Sequence, residues 1–403
     1  MIENCKLIIE NFMLRILFTG GGTGGHIYPI LAVVEQLRKK AQEKKIELDL
    51  YYLGAPENYG KLLAANNIKV SKVASAKLRR YFDLRNIIAV PKLVFSLFQA
   101  LWKVFFIMPD VLLSKGGTGA LPVVWVCKFY RIPIIIHESD SVAGLTNLIS
   151  SKYAQKIGIS FALAQESFVN YFKKPLLKQQ VAEKIALIGN PIRNFLFVQE
   201  DDLNQEAAKK ISGFDAQKPL LLVMGGSSGS VRVNDFFLGV ANDLISGGFQ
   251  VLHQTGLKNF QEFNKELNVS LDNLGTQKTS YKTVPYFEEN IKDAYIAADM
   301  IISRAGSGSI FEIAAMGKPS LLIPLADSAS DHQKQNAYEY AKTGATIVIE
   351  ELNLKESILV NQLETLFKNS EKLKQMGQAA KNFSKPGAAG ALAEEIFMLS
   401  GNK

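Results

Sequence analysis

Short apolar runs alternate with longer amphipathic stretches along the chain. In the first half, LRILFT is followed by HIYPILAVVEQLRKK and ELDLYYLG, and VLLSKGG and IPIIIHESD come later. Near-continuous apolar strands between amphipathic helices are typical of a parallel sheet that is covered on both faces and joined by right-handed crossovers. The pattern therefore predicts a doubly wound α/β domain whose first strand begins at Met13.

The same alternation restarts after Asn190. A helix near Gln205–Ile211 leads into PLLLVMGGSSGS, and FQVLHQTG, MIISRAGSGSIFEIAAMG and PSLLIPLAD follow. We therefore predict two doubly wound, Rossmann-like domains that face a cleft. The expected boundaries are 1–12 for an N-terminal extension, 13–190 for the first domain, 191–218 for a linker, 219–385 for the second domain and 386–403 for a C-terminal helix.

Both halves carry glycine-rich turns between a strand and a helix. These turns lie at 20–25 and 116–119 in the first half, and at 225–229 and 306–308 in the second. Glycine allows the backbone to approach a ligand closely, and the following helix N-terminus presents unpaired N–H groups to phosphate. A phosphorylated ligand in the cleft between the two sheets is the expectation that follows.

Composition narrows the class of protein. Of 403 residues, 47% are hydrophobic and 21% are charged, which excludes an intrinsically disordered or collagenous chain. Cys5 and Cys127 lie far apart and have no zinc-ligand spacing, so a disulfide framework is not expected. The first dozen residues contain two glutamates and no cleavage site, which argues against a secretory signal. We expect a reducing, cytoplasmic environment.

The positive charge is concentrated in one half of the chain. Residues 1–190 contain 25 Lys and Arg against 13 Asp and Glu, whereas residues 191–403 contain 21 against 25. This asymmetry favours an anionic partner for the first half: a nucleic acid, a lipid surface or a phosphorylated substrate. No recognised nucleic-acid-binding module occurs in the sequence, so nucleic acid is the weakest of the three.

Four positions stand out as candidates for chemistry. His26 follows the first glycine turn and is placed to act as a general base; the weaker alternative is a histidine that only caps the helix. Glu312 lies one turn into a helix that starts with Ser307–Gly308–Ser309, and either accepts hydrogen bonds from a ribose or complements the helix dipole. Arg193 in GNPIR is able to neutralise a diphosphate, and Gln333 follows the polar segment ADSASDH.

Six motifs occur in a characteristic order: GGTGGHIYP, HESDSVAGLTN, GNPIR, GGSSGS, RAGSGSIFE and DHQ. In this order they resemble the MurG family, the inverting two-domain transferases of the GT-B class and glycosyltransferase family 28. The resemblance covers almost the whole chain from Met13 onward. It implies transfer of N-acetylglucosamine (GlcNAc) from UDP-GlcNAc to the 4-hydroxyl of the muramoyl unit of lipid I, which gives the β-1,4-linked lipid II of peptidoglycan synthesis.

The resemblance also implies a role for each matching residue. His26 would be the base, and Asn147 would lie on the acceptor side. Phe287 would contact the uracil through its backbone, Glu312 the ribose, and Gln333 the hydroxyls of GlcNAc. The donor would further be bordered by these residues: Thr23, Gly24, Gly25, Arg193, Ser227, Ser307, Gly308 and Ser309. The reaction would need no cofactor and no metal site, because helix N-termini and Arg193 would stabilise the leaving diphosphate.

One motif departs from the family pattern. Many members have HEQN where this chain has His137, Glu138, Ser139 and Asp140. A carboxylate thus replaces a neutral amide near the reaction centre, and Asp140 is a second candidate for the base. The sequence leaves the choice between His26 and Asp140 open.

Residues 85–108 form a strongly apolar segment with one narrow polar stripe. The stripe consists of Lys92, Ser96, Gln99 and Lys103, and aromatic residues occupy much of the remaining surface. The segment is too short and too interrupted by lysine to span a bilayer. It either lies at a membrane interface, with Lys77, Arg79, Arg80 and Arg85 facing anionic lipid, or packs against the sheet. A lipid-linked acceptor favours a peripheral protein on the cytoplasmic face of the bacterial inner membrane.

Two other functions remain compatible with these patterns. One is a related GT-B transferase that acts on another lipid acceptor. The other is a non-catalytic scaffold that binds nucleotide sugars at the membrane. Transfer assays with different acceptors distinguish them.

Overall fold

The computed structural model describes residues 13–74, 85–197, 203–226, 229–287, 290–326, 328 and 331–401, with the backbone alone at 85–90, 274 and 276. These residues form two compact units. The first contains the chain up to Ser139, Ala143–Arg193 and the C-terminal segment from Gly387. The second contains Asp140–Val142 and Asn194–Pro386. Each unit has a sheet of its own.

The sheet of the first unit has seven parallel strands in the order β3-β2-β1-β4-β5-β6-β7. The strands are β1 (Met13–Thr19), β2 (Glu47–Gly54), β3 (Lys69–Lys72), β4 (Val111–Ser114), β5 (Ile134–Glu138), β6 (Lys156–Ile159) and β7 (Ile185–Leu187). The helices between them are α1 (Gly24–Lys44), α2 (Gly60–Ala65), α3 (Arg85–Ile107), α4 (Ala120–Phe129), α5 (Leu145–Ser150), α6 (Ala164–Tyr171) and α7 (Pro175–Ala182).

Apolar side chains cover both faces of this sheet. Ile16 and Phe18 of β1 belong to the core that includes α1, whereas Leu17 belongs to the core that includes α3 and α4. Successive side chains of a strand point to opposite faces, so a strand that is buried on both sides must be apolar throughout. This explains why Ile16, Leu17 and Phe18 are apolar in succession, whereas the polar Arg15 lies at an exposed position near the start of the strand.

The second unit has six parallel strands in the order β10-β9-β8-β11-β12-β13, which repeats the arrangement of the first six strands. The strands are β8 (Leu220–Met224), β9 (Gln250–Gln254), β10 (Tyr281–Val284), β11 (Met300–Ser303), β12 (Ser320–Leu322) and β13 (Thr346–Val348). The helices are α8 (Gln205–Ile211), α9 (Val231–Gly239), α10 (Ala241–Ser246), α11 (Phe260–Ser270), α12 (Ile291–Ala297), α13 (Ser307–Met316), α14 (His332–Ala341), α15 (Glu356–Phe367) and α16 (Ser370–Phe383). The predicted doubly wound α/β class is confirmed in both units.

Two segments near the expected domain boundaries pack against the two units, one against each. Within the segment 191–218, α8 packs against α12, and Gln205 Nε2 donates to the carbonyl of Ala298 at 2.9 Å. The last helix, α17 (Ala388–Ser400), packs against α1 of the first unit, where Leu392 and Ile396 enter the same core as Ile16. The chain therefore returns to its first unit after completing its second.

Candidate active site

The first glycine turn places Thr23 and His26 side by side. Thr23 is the N-cap of α1, and Gly24, Gly25 and His26 form the first turn of that helix. The backbone N–H of His26 donates to the Thr23 carbonyl at 3.0 Å, and Thr23 Oγ1 lies 2.9 Å from His26 Nδ1. A Cβ on Gly21 would lie 3.0 Å from Nδ1 of the same imidazole. Glycine at this position thus makes room for the ring, which is half-buried beside the turn.

The second turn of the first unit begins with a buried lysine. Lys115 follows β4, is 4% exposed, and donates to Nδ1 of His137 and to Ser139 Oγ, the latter at 2.6 Å. His137 Nε2 lies 2.9 Å from the Gly189 carbonyl. Burial lowers the pKa of His137 well below its usual range, and the Lys115 charge lowers it further. His137 is consequently neutral, with Nδ1 as acceptor and Nε2–H as donor.

Asn147 holds Glu138 at the end of β5. Its Nδ2 donates to Glu138 Oε2 at 2.9 Å, and the backbone N–H of Gly144 donates to the same oxygen, also at 2.9 Å. Asn147 is only 2% exposed, and its Oδ1 has no hydrogen-bond partner among the described residues. Gly116, with φ of +77°, approaches so closely that a Cβ there would lie 2.7 Å from this oxygen. Asn147, which the family resemblance assigned to the acceptor side, therefore packs closely against the glycine turn that begins at Gly116.

Arg193 lies against the first turn of α1. Its guanidinium carbon is 4.8 Å from the ring centroid of Tyr28, and that ring makes an edge contact with Tyr59. The side chain of Ser139 reaches the same segment, donating to Asn190 Oδ1 at 3.0 Å. The first unit thus brings Arg193 of the GNPIR motif to the helix that carries His26.

In the second unit, the start of α13 is suited to an anion. Gly306 occupies the N-cap and has no side chain to accept from the helix, and the first N–H groups of an α-helix point away from the carbonyl groups of that helix. One turn further along, Glu312 Oε2 accepts a hydrogen bond from the hydroxyl of the buried Tyr295 at 3.0 Å. Tyr295 therefore fixes the carboxylate that the sequence assigned to the ribose.

Arg304 connects the loops around α13 through hydrogen bonds. It follows β11, is 6% exposed, and donates to Ser230 Oγ at 2.7 Å and to Glu351 Oε1 at 3.1 Å. Burial raises the pKa of Glu351, but the hydrogen bonds from Arg304 and from the Ala326 N–H outweigh it and lower the pKa overall. The predicted donor residue Ser227 lies outside the described residues, and of its turn the structure describes Gly225, Gly226 and Gly229.

The remaining predicted donor residues lie near the same sheet edge. Gln333 Oε1 accepts from the backbone N–H of Leu325 at 3.1 Å. Phe287 is buried, and its N–H donates to Gln254 Oε1 at 3.3 Å. Both residues follow the carboxyl ends of parallel strands, where α/β sheets bind their ligands.

Asp140 is held by a buried asparagine. Asn336 Nδ2 donates to Asp140 Oδ1 at 2.8 Å, and Asn336 Oδ1 accepts from the backbone N–H of Ser141 at 2.7 Å. Asn336 has no exposed surface. The orientation of its amide is thus fixed by two bonds of opposite sense.

Comparison with known proteins decides the family. The model of the glycosyltransferase family 28 N-terminal domain matches residues 16–159, and that of the family 28 C-terminal domain matches residues 220–391. The chain belongs to glycosyltransferase family 28. It is a glycosyltransferase with two Rossmann-like domains of the GT-B type.

Curated relatives cover most of this family 28 chain. A protein of Clostridium tetani is 34% identical over 89% of this chain and 91% of its own length. A protein of Halothermothrix orenii is 32% identical over 95% and 98%. Both are named UDP-N-acetylglucosamine–N-acetylmuramyl-(pentapeptide) pyrophosphoryl-undecaprenol N-acetylglucosamine transferase.

Solved structures share the fold. MurG of Acinetobacter baumannii has a TM-score of 0.68 at 23% identity, with 96% of this chain and 99% of that chain covered. A UDP complex of MnaA from S. aureus has a TM-score of 0.64 at 15% identity, with 95% and 96% covered.

Helix α3 of the family 28 N-terminal domain turns most of its polar stripe inward, whereas Lys92 at the start of the stripe is exposed. Ser96 is buried, Gln99 Oε1 accepts from the Ala74 N–H at 2.9 Å, and Lys103 Nζ donates to the Lys72 carbonyl at 2.6 Å. The exposed side is aromatic, at 54–69% exposure, and consists of Phe95, Phe98, Trp102, Phe105 and Phe106. We call these five residues the aromatic face. Of the predicted basic flank, Lys77, Arg79 and Arg80 and the side chain of Arg85 lie outside the described residues.

None of the helices in the described ranges is both long enough and apolar enough to cross a bilayer. The same ranges contain no group of three or more His, Cys, Asp or Glu residues arranged to hold a metal ion.

Four polar residues with buried side chains were not predicted from the sequence as parts of the site: Lys115, Arg304, Asn336 and Glu351. A signal for two of them is present, since both SKGG and SRAG place a basic residue between a strand and a glycine turn. Asn336 and Glu351 have no such local signal, because their partners lie tens of residues away in the sequence.

Proposed function

We propose that this chain transfers GlcNAc from UDP-GlcNAc to the 4-hydroxyl of the muramoyl unit of lipid I, with inversion at the anomeric carbon. The observation that carries this proposal is the activity for which relatives that are 32–34% identical over 89–95% of the chain are named. Both family 28 domains are present, so the chain has the parts that such a reaction needs.

The second unit would hold the donor. The backbone N–H groups at the start of α13 would attract the diphosphate, because they add to the positive end of the helix dipole. Glu312, fixed by Tyr295, would accept hydrogen bonds from the ribose hydroxyls. Gln333 would bind the hydroxyls of GlcNAc, and the backbone of Phe287 would contact the uracil.

The first unit would activate the acceptor. His26 Nε2 takes the proton of the muramoyl 4-hydroxyl while the oxygen of that hydroxyl attacks the anomeric carbon of GlcNAc. The bond from this carbon to the diphosphate oxygen breaks, and UDP leaves with the electron pair. Arg193, held over Tyr28, would neutralise the developing negative charge. We expect no cofactor to be required for these steps.

A transfer assay with labelled UDP-GlcNAc and a short-chain lipid I analogue tests this proposal. We expect product from the wild type with and without EDTA, and at least about a hundredfold loss of rate in His26→Ala, as for removal of a general base. Glu312→Gln should raise the KM for UDP-GlcNAc about tenfold, which corresponds to one hydrogen bond to a charged group. The matched control Glu364→Gln, on the exposed side of α15, should behave as the wild type.

Other outcomes would redirect the assignment. Binding of UDP-GlcNAc without transfer to lipid I would favour another lipid acceptor or a non-catalytic scaffold. Near-normal turnover by His26→Ala together with loss of activity in Asp140→Asn would make Asp140 the base. Loss of the wild-type activity in EDTA would overturn the expectation of metal-free transfer.

We further propose that the aromatic face of α3 places the first unit on the cytoplasmic surface of the inner membrane. Exposed aromatic rings partition into the headgroup region of a bilayer, and nearby cations attract anionic lipid. Phe105 lies 6.3 Å from the ring of Tyr130, which Lys128 and Arg131, both exposed, flank in the sequence. The aromatic face thus continues towards a basic surface.

Sedimentation with vesicles tests the membrane proposal. Trp102→Glu should reduce binding to vesicles that contain phosphatidylglycerol at least about tenfold, since it removes apolar area and adds a repelled charge. Val269→Glu makes the same kind of change at a 75% exposed position of the second unit and should leave binding unchanged. Equal binding by both variants would contradict the role of the aromatic face.

A further inference from the structure

The N-cap of α1 does not make the usual capping bond. In α8, α9 and α16 the N-cap side chains of Asn204, Ser230 and Asn369 accept from the backbone N–H three residues on, at 2.8, 3.4 and 3.0 Å. Thr23 has backbone angles that suit a cap, yet its hydroxyl makes no such bond. A capping bond stabilises the helix that it starts, so its absence at Thr23 calls for a reason.

The hydroxyl of Thr23 is directed to the imidazole of His26 instead. The distance of 2.9 Å between Oγ1 and Nδ1 is that of a hydrogen bond, and the two residues are fixed in this spacing by the bond from His26 N–H to the Thr23 carbonyl. The first turn of the helix therefore sets both the position and the orientation of the ring.

A neutral imidazole carries one proton, and its partner at one nitrogen decides the state of the other. When Nδ1–H donates to a hydroxyl, Nε2 keeps its lone pair and is able to accept a proton. When the hydroxyl donates to Nδ1, Nε2 carries the proton and has no capacity to act as a base. The direction of the hydrogen bond between Thr23 and His26 thus determines whether Nε2 of His26 is able to accept a proton.

We propose that Thr23 is a positioning residue that accepts a hydrogen bond from His26 Nδ1–H and so keeps Nε2 of His26 unprotonated as the general base. This inference rests on the proposed function, and it replaces the donor contact that the family resemblance implied for Thr23. During transfer the proton of the acceptor hydroxyl moves to Nε2, and the resulting imidazolium still donates from Nδ1 to Thr23. The arrangement follows the general logic by which a catalytic base is oriented by a third group.

Long-range proton–nitrogen NMR of the full chain tests the tautomer directly. The sequence has four histidines, so His26→Asn assigns the relevant signals. We expect the neutral His26 ring to carry its proton on Nδ1 in the wild type, and to lose this preference in Thr23→Val. A wild-type ring protonated on Nε2 would overturn the inference. Buried His137, with Nδ1 as acceptor, provides an internal reference for the opposite tautomer.

Steady-state kinetics with the lipid I analogue provide the second readout. Thr23→Val should lower kcat about 10- to 100-fold, within the contribution of general base catalysis, and change the KM for UDP-GlcNAc less than about twofold. Thr23→Ser restores the hydroxyl and should recover most of the lost rate. Thr365→Val removes an exposed hydroxyl that bonds only within α15, at 2.7 Å, and serves as the matched control.

The outcomes separate the inference from the proposed function. If Thr23→Val raised the KM for UDP-GlcNAc and left kcat unchanged, Thr23 would be a donor-binding residue and its positioning role would be refuted. Equal rates for Thr23→Val and the wild type would refute it as well, while leaving lipid I transfer intact. If the wild type failed to transfer to lipid I, the proposed function would fall, and the NMR result would still decide the tautomer.

Discussion

The two units place a buried basic residue at the same point of the same topology. Lys115 follows β4 in the first unit and Arg304 follows β11 in the second, and both strands lie directly beside the first strand of their sheet. Each residue reaches the end of the next strand in the sheet: Lys115 contacts His137, and Arg304 donates to the Ile323 carbonyl at 3.3 Å.

Their partners differ in charge. The guanidinium of Arg304 pairs with Glu351, and both side chains are less than a tenth exposed. The ammonium of Lys115 faces the neutral imidazole of His137 and the hydroxyl of Ser139. A planar guanidinium is able to bridge several groups at once, whereas an ammonium acts as a point charge. The second unit thus depends here on an ion pair, and the first on a histidine that must stay uncharged.

The largest effect should come from breaking the ion pair of the second unit. Arg304→Met leaves the Glu351 carboxylate without its nearest cation, and we expect a loss of about 3–5 kcal/mol in the free energy of unfolding. Arg232, at 3.6 Å but largely exposed, offers weak compensation. Denaturant unfolding of the purified variant measures the loss.

A double-mutant cycle makes this prediction specific. Arg304→Met combined with Glu351→Met should be less destabilised than the sum of the single variants, because no buried charge remains unpaired. Additive losses would mean that the two side chains do not depend on each other.

An intermediate effect concerns pH. Burial lowers the pKa of His253 to about 3 and that of His137 well below its usual value. Below about pH 6.5 these two histidines therefore become protonated in the unfolded chain but stay neutral in the folded chain. Stability that is present above pH 6.5 is therefore lost as the pH falls, by up to about 1.4 kcal/mol per pH unit for each histidine. Unfolding measured between pH 7 and 4 shows the slope.

A variant separates the two histidines. His253→Asn retains an acceptor for the hydroxyl of Tyr281, which bonds His253 Nδ1 at 2.9 Å, but does not titrate. The free energy of unfolding should then change less steeply with pH, because one histidine instead of two takes up a proton on unfolding. An unchanged slope would show that His253 is not protonated on unfolding in this range.

The smallest effect should come from Lys115→Met. Desolvation remains the first cause of the low pKa of His137, and the variant removes only the second cause, the Lys115 charge. We expect the pKa of His137 to rise but to stay below its usual value, and the acid-induced loss of stability to become slightly shallower. NMR titration of His137 provides the measurement. A pKa that stays constant or falls would contradict the electrostatic role of Lys115.

Local patterns were sufficient to predict much of this molecule. The apolar strands and the glycine turns after them indicate both sheets, because burial on two faces leaves no room for polar alternation. His26, Ser307 and Glu312 were found for the same reason: each lies within one helical turn of a strand-to-helix turn, where ligands of α/β folds bind. Their assigned roles remain predictions.

Other features depend on contacts that no local pattern encodes. Arg304 and Glu351 are 47 residues apart, and Asp140 and Asn336 are 196 apart. The orientation of α3 was open for a related reason: the sequence left a helix at a membrane interface and a helix packed against the sheet as alternatives. In the structure, Gln99 and Lys103 bond inward to the backbone at Ala74 and Lys72. Backbone groups beside a short edge strand needed partners, and the polar side chains supply them.

The return of α17 to the first unit has a consequence for biosynthesis. Leu392 and Ile396 fill the core beside α1, yet the ribosome adds them only after the whole second unit has been translated. One side of the sheet in the nascent first unit therefore stays incompletely covered until α17 has been synthesised. All strands of the second unit have been synthesised before that point. A premature stop codon that falls just before α17 would therefore damage the half of the protein that is made first.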